Sequence, residues 1–229
     1  MPSLSAKYDV TIIGGGHNGL VSACYLAKAG LSVLVLEKNP ELGGTTRSEQ
    51  AFDGMEARLS VYSYLVSLLP ERIISELGLT LDLLPRRTAS YTPRIKDGHL
   101  NELLLLNHDP IHNQGAFADL TGSDSDYLGY ADLQSMQERL SSVIWSSLTE
   151  PLVSKTDMTN RLDDKGREAW QSFIEEPLGQ VIEKKISSDL IRGLVFTDAK
   201  IGVSTHPHDP SLLQNRCFLY HVIGQGTGE

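Results

Sequence analysis

The chain is poor in cysteine and has no zinc-type ligand spacing. Its two cysteines are Cys24 and Cys217, and neither belongs to a Cys-x-x-Cys or Cys/His pattern. A disulfide scaffold and a structural zinc site are therefore excluded, and so few thiols fit a reducing compartment. Cys24 falls inside a predicted helix and is expected to be a small buried hydrophobe. Positive charge is also scarce. Twenty Lys and Arg stand against 29 Asp and Glu, a formal net charge of −9. The densest basic pairs, Arg86–Arg87 and Lys184–Lys185, are too short to form a tract. An acidic surface repels a phosphate backbone, so nucleic acid is not an expected partner. No run of ~18 apolar residues occurs, so no transmembrane helix is expected. Met1 to Lys7 hold no apolar h-region, so a cleaved leader is not expected either. These absences together point to a cytoplasmic protein. Internal repeats and low-complexity tracts are missing too.

What is present begins at once. Tyr8 to Ile13 is short, β-branched and apolar, and predicts a buried strand. From His17 to Ala29, apolar residues recur at helical spacing. Gly30 is placed to end that helix in a left-handed conformation. Ser32 to Glu37 predicts a second buried strand. Strand, helix and strand within about thirty residues make one βαβ unit.

The turn between first strand and helix reads Gly14-Gly15-Gly16-His17-Asn18-Gly19. A G-x-G-x-x-G spacing alone is a weak signal, but here it leaves a strand, opens a helix and precedes an acid. Gly14 allows the tight turn, Gly16 lets a pyrophosphate approach the backbone, and Gly19 lets the helix pack closely. The free N–H groups and positive dipole end of the helix would face the phosphates. Gly15 adds further exposed backbone, and Asn18 either caps the helix or touches phosphate. His17 is disfavoured as a cation by the same dipole. Glu37, about twenty residues on, would accept hydrogen bonds from the adenosine ribose and repel a 2′-phosphate. Lys38 follows it directly.

Beyond Glu37 the reading is coarser. Tyr62 to Leu69 predicts a helix, and Pro70 and Gly78 open and close the next one. Asp97-Gly98 predicts a hairpin within Ile95 to Leu106. Ser123 predicts an N-cap with Asp126 closing a variant capping box, for a helix reaching about Leu148. Leu162 to Thr197 predicts helices broken at Pro177 and capped at Ser187-Ser188. Thr205 to Pro210 is a loop, and Ser211 to Ile223 fits helix or strand equally. His206, His208 and Asp209 lack a third metal ligand, and Pro110 separates His108 from His112, so no metal is expected. Tyr220 and His221 are expected as a packed core pair rather than a cavity lining. No Ser-His-Asp order stands out, and the catalytic residues are not legible.

A second glycine pair, Gly43-Gly44, follows within Glu41-Leu42-Gly43-Gly44-Thr45-Thr46-Arg47. With YDVTIIGGGHNGLVSACYLAKAGLSVLVLEKNPELGG ahead of it, the sequence resembles the phytoene-desaturase-like, amine-oxidase-like flavoproteins. It is nearest to their phytoene-dehydrogenase-like oxidoreductases. SYLVSLLP, the DGHLNELLL hairpin, SDSDYLGYADL and the closing HVIGQGTGE are similar in pattern. The resemblance implies FAD as cofactor and hydride transfer from an apolar small-molecule substrate to flavin. It implies Gly43, Gly44, Thr45 and Arg47 near the pyrophosphate, although this chain has Thr45 where many members place arginine. Such enzymes are about twice this length. The resemblance therefore implies an N-terminal fragment, a split-gene subunit completed by a partner chain, or a shortened member. The expected class is α/β. A Rossmann-like FAD/NAD(P)-binding part over residues 1–85 precedes an α+β substrate portion over 86–229. A non-catalytic dinucleotide-binding module, an NAD-dependent dehydrogenase and peripheral membrane contact stay open.

Overall fold

A computed structural model describes residues 7–63 and 65–223. The chain divides into two compact units, Met1–Leu81 and Asp82–Glu229. Gly224 to Glu229, part of the sequence resemblance, lie outside the described residues.

The first unit is α/β. Strand β1 (Val10–Ile13) and strand β2 (Val33–Leu36) pair in parallel, from Val10 opposite Val33 to Ile13 opposite Leu36. Parallel strands need a crossover, and helix α1 (His17–Lys28) supplies it. The helix ends as predicted, because Gly30 takes φ +86°. The Gly30 N–H then donates to the Ala27 carbonyl at 3.0 Å and the Leu31 N–H to the Leu26 carbonyl at 3.2 Å. This paired closure satisfies two carbonyls at the helix end. At the far end of the strands, Asp9 Oδ2 accepts from Ser32 N–H at 2.8 Å and Ser32 Oγ at 2.6 Å.

A small antiparallel pair follows, β3 (Ser48–Gln50) with β4 (Arg58–Ser60), then helix α2 (Glu71–Leu77). Tyr25 Oη donates to Glu76 Oε2 at 2.6 Å, and Lys28 Nζ donates to the Glu76 carbonyl, which ties α2 to α1. Three expectations need correction. The described residues between Tyr62 and Leu69 are not helical. Pro70 disfavours helical backbone in the residue before it, and Tyr, Val and Ser are only modest helix formers. Pro70 is accordingly the N-cap of α2 rather than its first helical residue, while Gly78 closes the helix at φ +64° as predicted. Cys24 is exposed, not buried, because it lies on the outer face of α1.

The second unit holds the hydrophobic core. Strands β5 (Thr88–Lys96) and β6 (His99–Leu106) form the expected hairpin. Its turn residues, Asp97 and Gly98, both take positive φ, +52° and +77°, as a two-residue hairpin turn requires. Leu103 and Leu105 alternate inward from β6. Helix α3 (Pro110–Thr121) closes that strand, with Asn113 Oδ1 accepting from Leu106 N–H at 2.8 Å.

Helix α4 (Ser125–Ile144) runs on through a 3-10 turn, Trp145–Leu148. Its N-cap is Asp124, and Ser123 Oγ accepts from Ser125 N–H at 3.1 Å instead. Asp126 closes no capping box. It is buried, and accepts from Ser187 N–H at 2.6 Å and Ser188 N–H at 3.0 Å. A carboxylate on α4 thus satisfies the amides that precede α8, which outweighs a local cap.

The remaining helices are α5 (Lys155–Asn160), α6 (Asp164–Trp170), α7 (Leu178–Lys185), α8 (Asp189–Phe196) and α9 (Leu213–Val222). A π-helical turn, Gln171–Glu175, extends α6 before Pro177 breaks the chain. The late apolar segment is helical, and Tyr220 on it is 62% exposed, so Tyr220 and His221 are not a packed core pair. The inward side chains of α9 include Gln214, Asn215, Cys217 and Phe218. Buried Asn215 donates to the Phe173 and Glu176 carbonyls at 3.0 and 2.7 Å and accepts from Leu178 N–H at 3.1 Å. It pairs groups released where the π turn and Pro177 interrupt the helix.

Candidate functional site: the glycine loop

The strand-to-helix turn of the first unit is built from residues without side chains. Gly14 takes φ +99°, and its N–H still donates to the Leu36 carbonyl at 2.7 Å, so the loop stays attached to β2. Gly15 is the one fully buried residue among the described residues of this unit. A Cβ there would lie 2.4 Å from Leu42 Cδ2, which covers the loop from one side. Gly16 is the N-cap of α1, with no side-chain cap and no acidic residue in the first turn. No side chain of α1 itself thus competes for the amides of its first turn. Gly19 has the tightest constraint: a Cβ would sit 2.2 Å from the Gly14 carbonyl oxygen.

The second glycine pair lies on the first. Gly43 N–H donates to the Gly15 carbonyl at 2.8 Å, and Gly16 and Gly43 form a parallel bridge. Gly43 and Gly44 both have positive φ, +112° and +58°. A Cβ on Gly44 would come within 3.1 Å of Gly16 Cα, whereas one on Gly16 would meet nothing closer than Gly44 Cα at 3.9 Å. The space beside the helix end is therefore kept open by the missing side chain of Gly16, not filled by the protein. Open backbone at a helix N-terminus matches what a pyrophosphate needs.

Glu37 stands one residue past β2 with its carboxylate held on both oxygens. Oε2 accepts from Gly15 N–H at 2.7 Å. Oε1 accepts from the Asn39 backbone N–H and from Asn39 Nδ2, each at 2.9 Å. The amides of Asn39, then Gly15, hold its carboxyl below the usual glutamate range.

Arg47 follows the 3-10 turn Gly44–Thr46, and its Cβ lies 3.2 Å from where a Gly43 Cβ would be. It pairs with Glu49 through Nη2, while its Nε is buried and without a hydrogen-bond partner among the described residues. An orphaned cationic donor beside the glycine pair fits an anionic ligand. Thr45 is exposed, and its carbonyl accepts from Ser63 Oγ at 3.4 Å. Asn18 and Lys38 are also exposed. The fold thus brings together Gly14, Gly15, Gly16, Gly19, Glu37, Gly43 and Gly44, with Arg47 adjacent, while Asn18, Lys38 and Thr45 are exposed beside them in sequence. Asn39 and Leu42 escaped the sequence reading. Their only signal is position, an amide two residues after the acid and an apolar residue before the glycine pair.

The second unit offers less chemistry. Among the described residues, no three His, Cys, Asp or Glu side chains form a metal-holding group. His208 Nε2 lies 3.1 Å from Glu183 Oε1, and Asp209 accepts from Ser211 N–H and Thr205 Oγ1 at 2.9 and 3.0 Å. Burial raises the Asp198 carboxyl, with His221 partly opposing it. Burial, and then Asp198, push the Tyr130 hydroxyl up to about 12. No helix among the described residues is long and apolar enough to cross a membrane.

Comparison with known proteins agrees with this geometry. Residues 12–69 match the NAD(P)-binding Rossmann-like domain family. An uncharacterized protein of Mycobacterium tuberculosis is 42% identical over 226 residues, covering 96% of this chain and 42% of that protein. The mouse pyridine nucleotide-disulfide oxidoreductase domain-containing protein 2 is 30% identical over 253 residues, covering 98% of this chain and 42% of its own length. Carotenoid 3,4-desaturase of Haloarcula japonica is 44% identical over 78 residues, 34% of this chain and 15% of the desaturase. The chain thus spans less than half the length of the relatives it matches. Its βαβ unit, side-chain-free loop and acidic partner, taken with these likenesses, mark a Rossmann-like dinucleotide-binding domain in a chain similar to oxidoreductases.

Proposed function

We propose that this chain holds FAD and serves a phytoene-dehydrogenase-like oxidation of an apolar small molecule. One observation carries the choice of FAD: the Gly43-Gly44 pair is hydrogen-bonded onto the Gly15-Gly16 turn, so two side-chain-free segments share one helix end. FAD, when bound, supplies hydride acceptance from a C–H bond and its own later reoxidation. The chain's residues bind and orient. Gly16 and the free amides opening α1 face the pyrophosphate, while Gly14 and Gly15, bonded to Leu36, Glu37 and Gly43, shape the turn that presents them. Glu37 accepts from the adenosine ribose and repels a 2′-phosphate. Arg47 offers its unpaired Nε to the same negative charge. Equilibrium dialysis of the purified chain against FAD, NAD and NADP tests this. FAD is expected to bind best and NADP worst. No retention of FAD would refute the cofactor, and tighter binding of NAD would favour a nicotinamide-dependent dehydrogenase.

A second reading has its own observation. Among the described residues β1 and β2 pair only with each other, and Ile13 is 88% exposed at the strand end. Open strand edges and a bare apolar residue suit a sheet that another polypeptide segment extends. On this reading the chain is a dinucleotide-holding module that turns over only when a partner completes it. Bound FAD that no donor reduces would support it, and turnover by the chain alone would overturn it.

A further inference from the structure

Glu37 is held by a residue that belongs to no glycine motif. Asn39 reaches back two positions and places both its backbone N–H and its side-chain Nδ2 on Glu37 Oε1, each at 2.9 Å. Pro40 follows and restricts the Asn39 backbone to extended conformations, which keeps that N–H available to the carboxylate. Gly15 N–H takes the other oxygen at 2.7 Å. An ionised carboxylate oxygen takes about two hydrogen bonds, so Oε2, with one from Gly15, keeps capacity for a hydroxyl. Glutamate has several rotatable bonds, and fixing such a side chain only when ligand arrives costs affinity. Here the side chain is fixed beforehand.

We propose that Asn39 is a positioning residue for adenosine-ribose recognition, acting through Glu37. The inference rests on the dinucleotide reading above and adds a specific role to it. Asn39 touches no ligand in this role. It selects the carboxylate orientation that faces the glycine loop, so that the ribose hydroxyls meet an acceptor already aligned. The dependence on Asn39 should therefore appear only for ligands that carry those hydroxyls.

The test is calorimetric titration of the full chain with ADP and with 2′,3′-dideoxy-ADP. The wild type is expected to bind ADP more tightly than the dideoxy analogue. Asn39→Ala keeps the backbone donor and loses Nδ2. It should weaken ADP binding about threefold to tenfold, the range for ordering one flexible side chain, and leave the dideoxy analogue unchanged. In a Glu37→Ala background, Asn39→Ala should have no further effect on ADP. Circular dichroism establishes that each variant is folded. Equal weakening of both ligands would reveal a merely structural role and overturn the proposal, as would unchanged ADP binding by Asn39→Ala. Equal wild-type affinity for the two ligands would overturn it while leaving the dinucleotide reading intact. Failure of the wild type to bind ADP would overturn both.

Discussion

Replacing Gly19 with alanine places a methyl group where the glycine loop has no room for one. Its Cβ would lie 2.2 Å from the Gly14 carbonyl oxygen, and Cβ contacts under 3.0 Å essentially never occur, so something must move by about 0.8 Å. Helix α1 resists, because its far end is closed by Gly30 and Leu31 on Ala27 and Leu26. The loop resists too. Gly14 is bonded to Leu36, and Gly15 to Glu37 and Gly43. Overpacking of this kind costs ~1–3 kcal/mol. If that cost falls on the ligand-binding geometry, FAD affinity drops about fivefold to a hundredfold. Gly30→Ala is the control. Gly30 has φ +86° with nothing within 4 Å of a new Cβ. An alanine there should cost ~1–2 kcal/mol of stability through its backbone conformation and leave affinity unchanged. Calorimetric titration with FAD gives the affinities, and thermal melts followed by circular dichroism show that both variants fold. Wild-type affinity in Gly19→Ala would refute the close-packing argument. An equal loss in Gly30→Ala would show that general destabilisation is being measured.

Three further outcomes concern the second unit. Asp126→Ala leaves the Ser187 and Ser188 amides without their acceptor and should cost about 3 kcal/mol in urea unfolding, with Asp126→Asn recovering part of it. A loss under about 1 kcal/mol would discount the cross-helix cap. Asn215→Leu strands the Phe173 and Glu176 carbonyls and the Leu178 amide, and about 3–5 kcal/mol of lost stability is expected in the same assay. Asp198 carries a carboxyl raised by burial, so the folded chain binds its proton more tightly than the unfolded chain does. Its contribution to stability is thus present below the unfolded carboxyl pKa and is lost as pH rises through the folded one. Asp198→Asn should raise the melting temperature near pH 7 and bring little gain near pH 3. A variant less stable than wild type at pH 7 would contradict this.

The βαβ unit was legible because local chemistry decides it. β-branched residues make the two strands, helical spacing makes α1, and Gly14 and Gly30 take the positive φ that their places in the pattern demand. The hairpin turn at Asp97-Gly98 was legible for the same reason. Elsewhere distant partners decided the outcome. Asp126 sits at a plausible capping spacing, yet its carboxylate is taken by amides about sixty residues away. The apolar residues from Tyr62 to Leu69 suggested a helix that Pro70 and weak propensity do not sustain. Ser211 to Ile223 carried no decisive period because polar Asn215 and Gln214 point inward while Tyr220 points out. At the site, spacing identified Glu37 and the first glycines. That Gly43 and Gly44 belong near the first glycines came from family likeness alone, and the bridge from Gly43 to Gly16 was not foreseen, since nothing local foretells which segment a loop will bridge.

All of the buried hydrophobic side chains among the described residues lie between Leu103 and Ile223. The unit carrying the glycine loop therefore has little apolar burial of its own to oppose local opening. A ligand that binds only the closed loop adds ~2.7 kcal/mol at a hundredfold excess over its dissociation constant. For a unit so lightly anchored, that contribution would dominate how long the loop survives a protease. Cleavage within residues 7–81 would then slow as dinucleotide is added, while cleavage in the helical unit kept its pace, and the chain would register cofactor supply through its own lifetime.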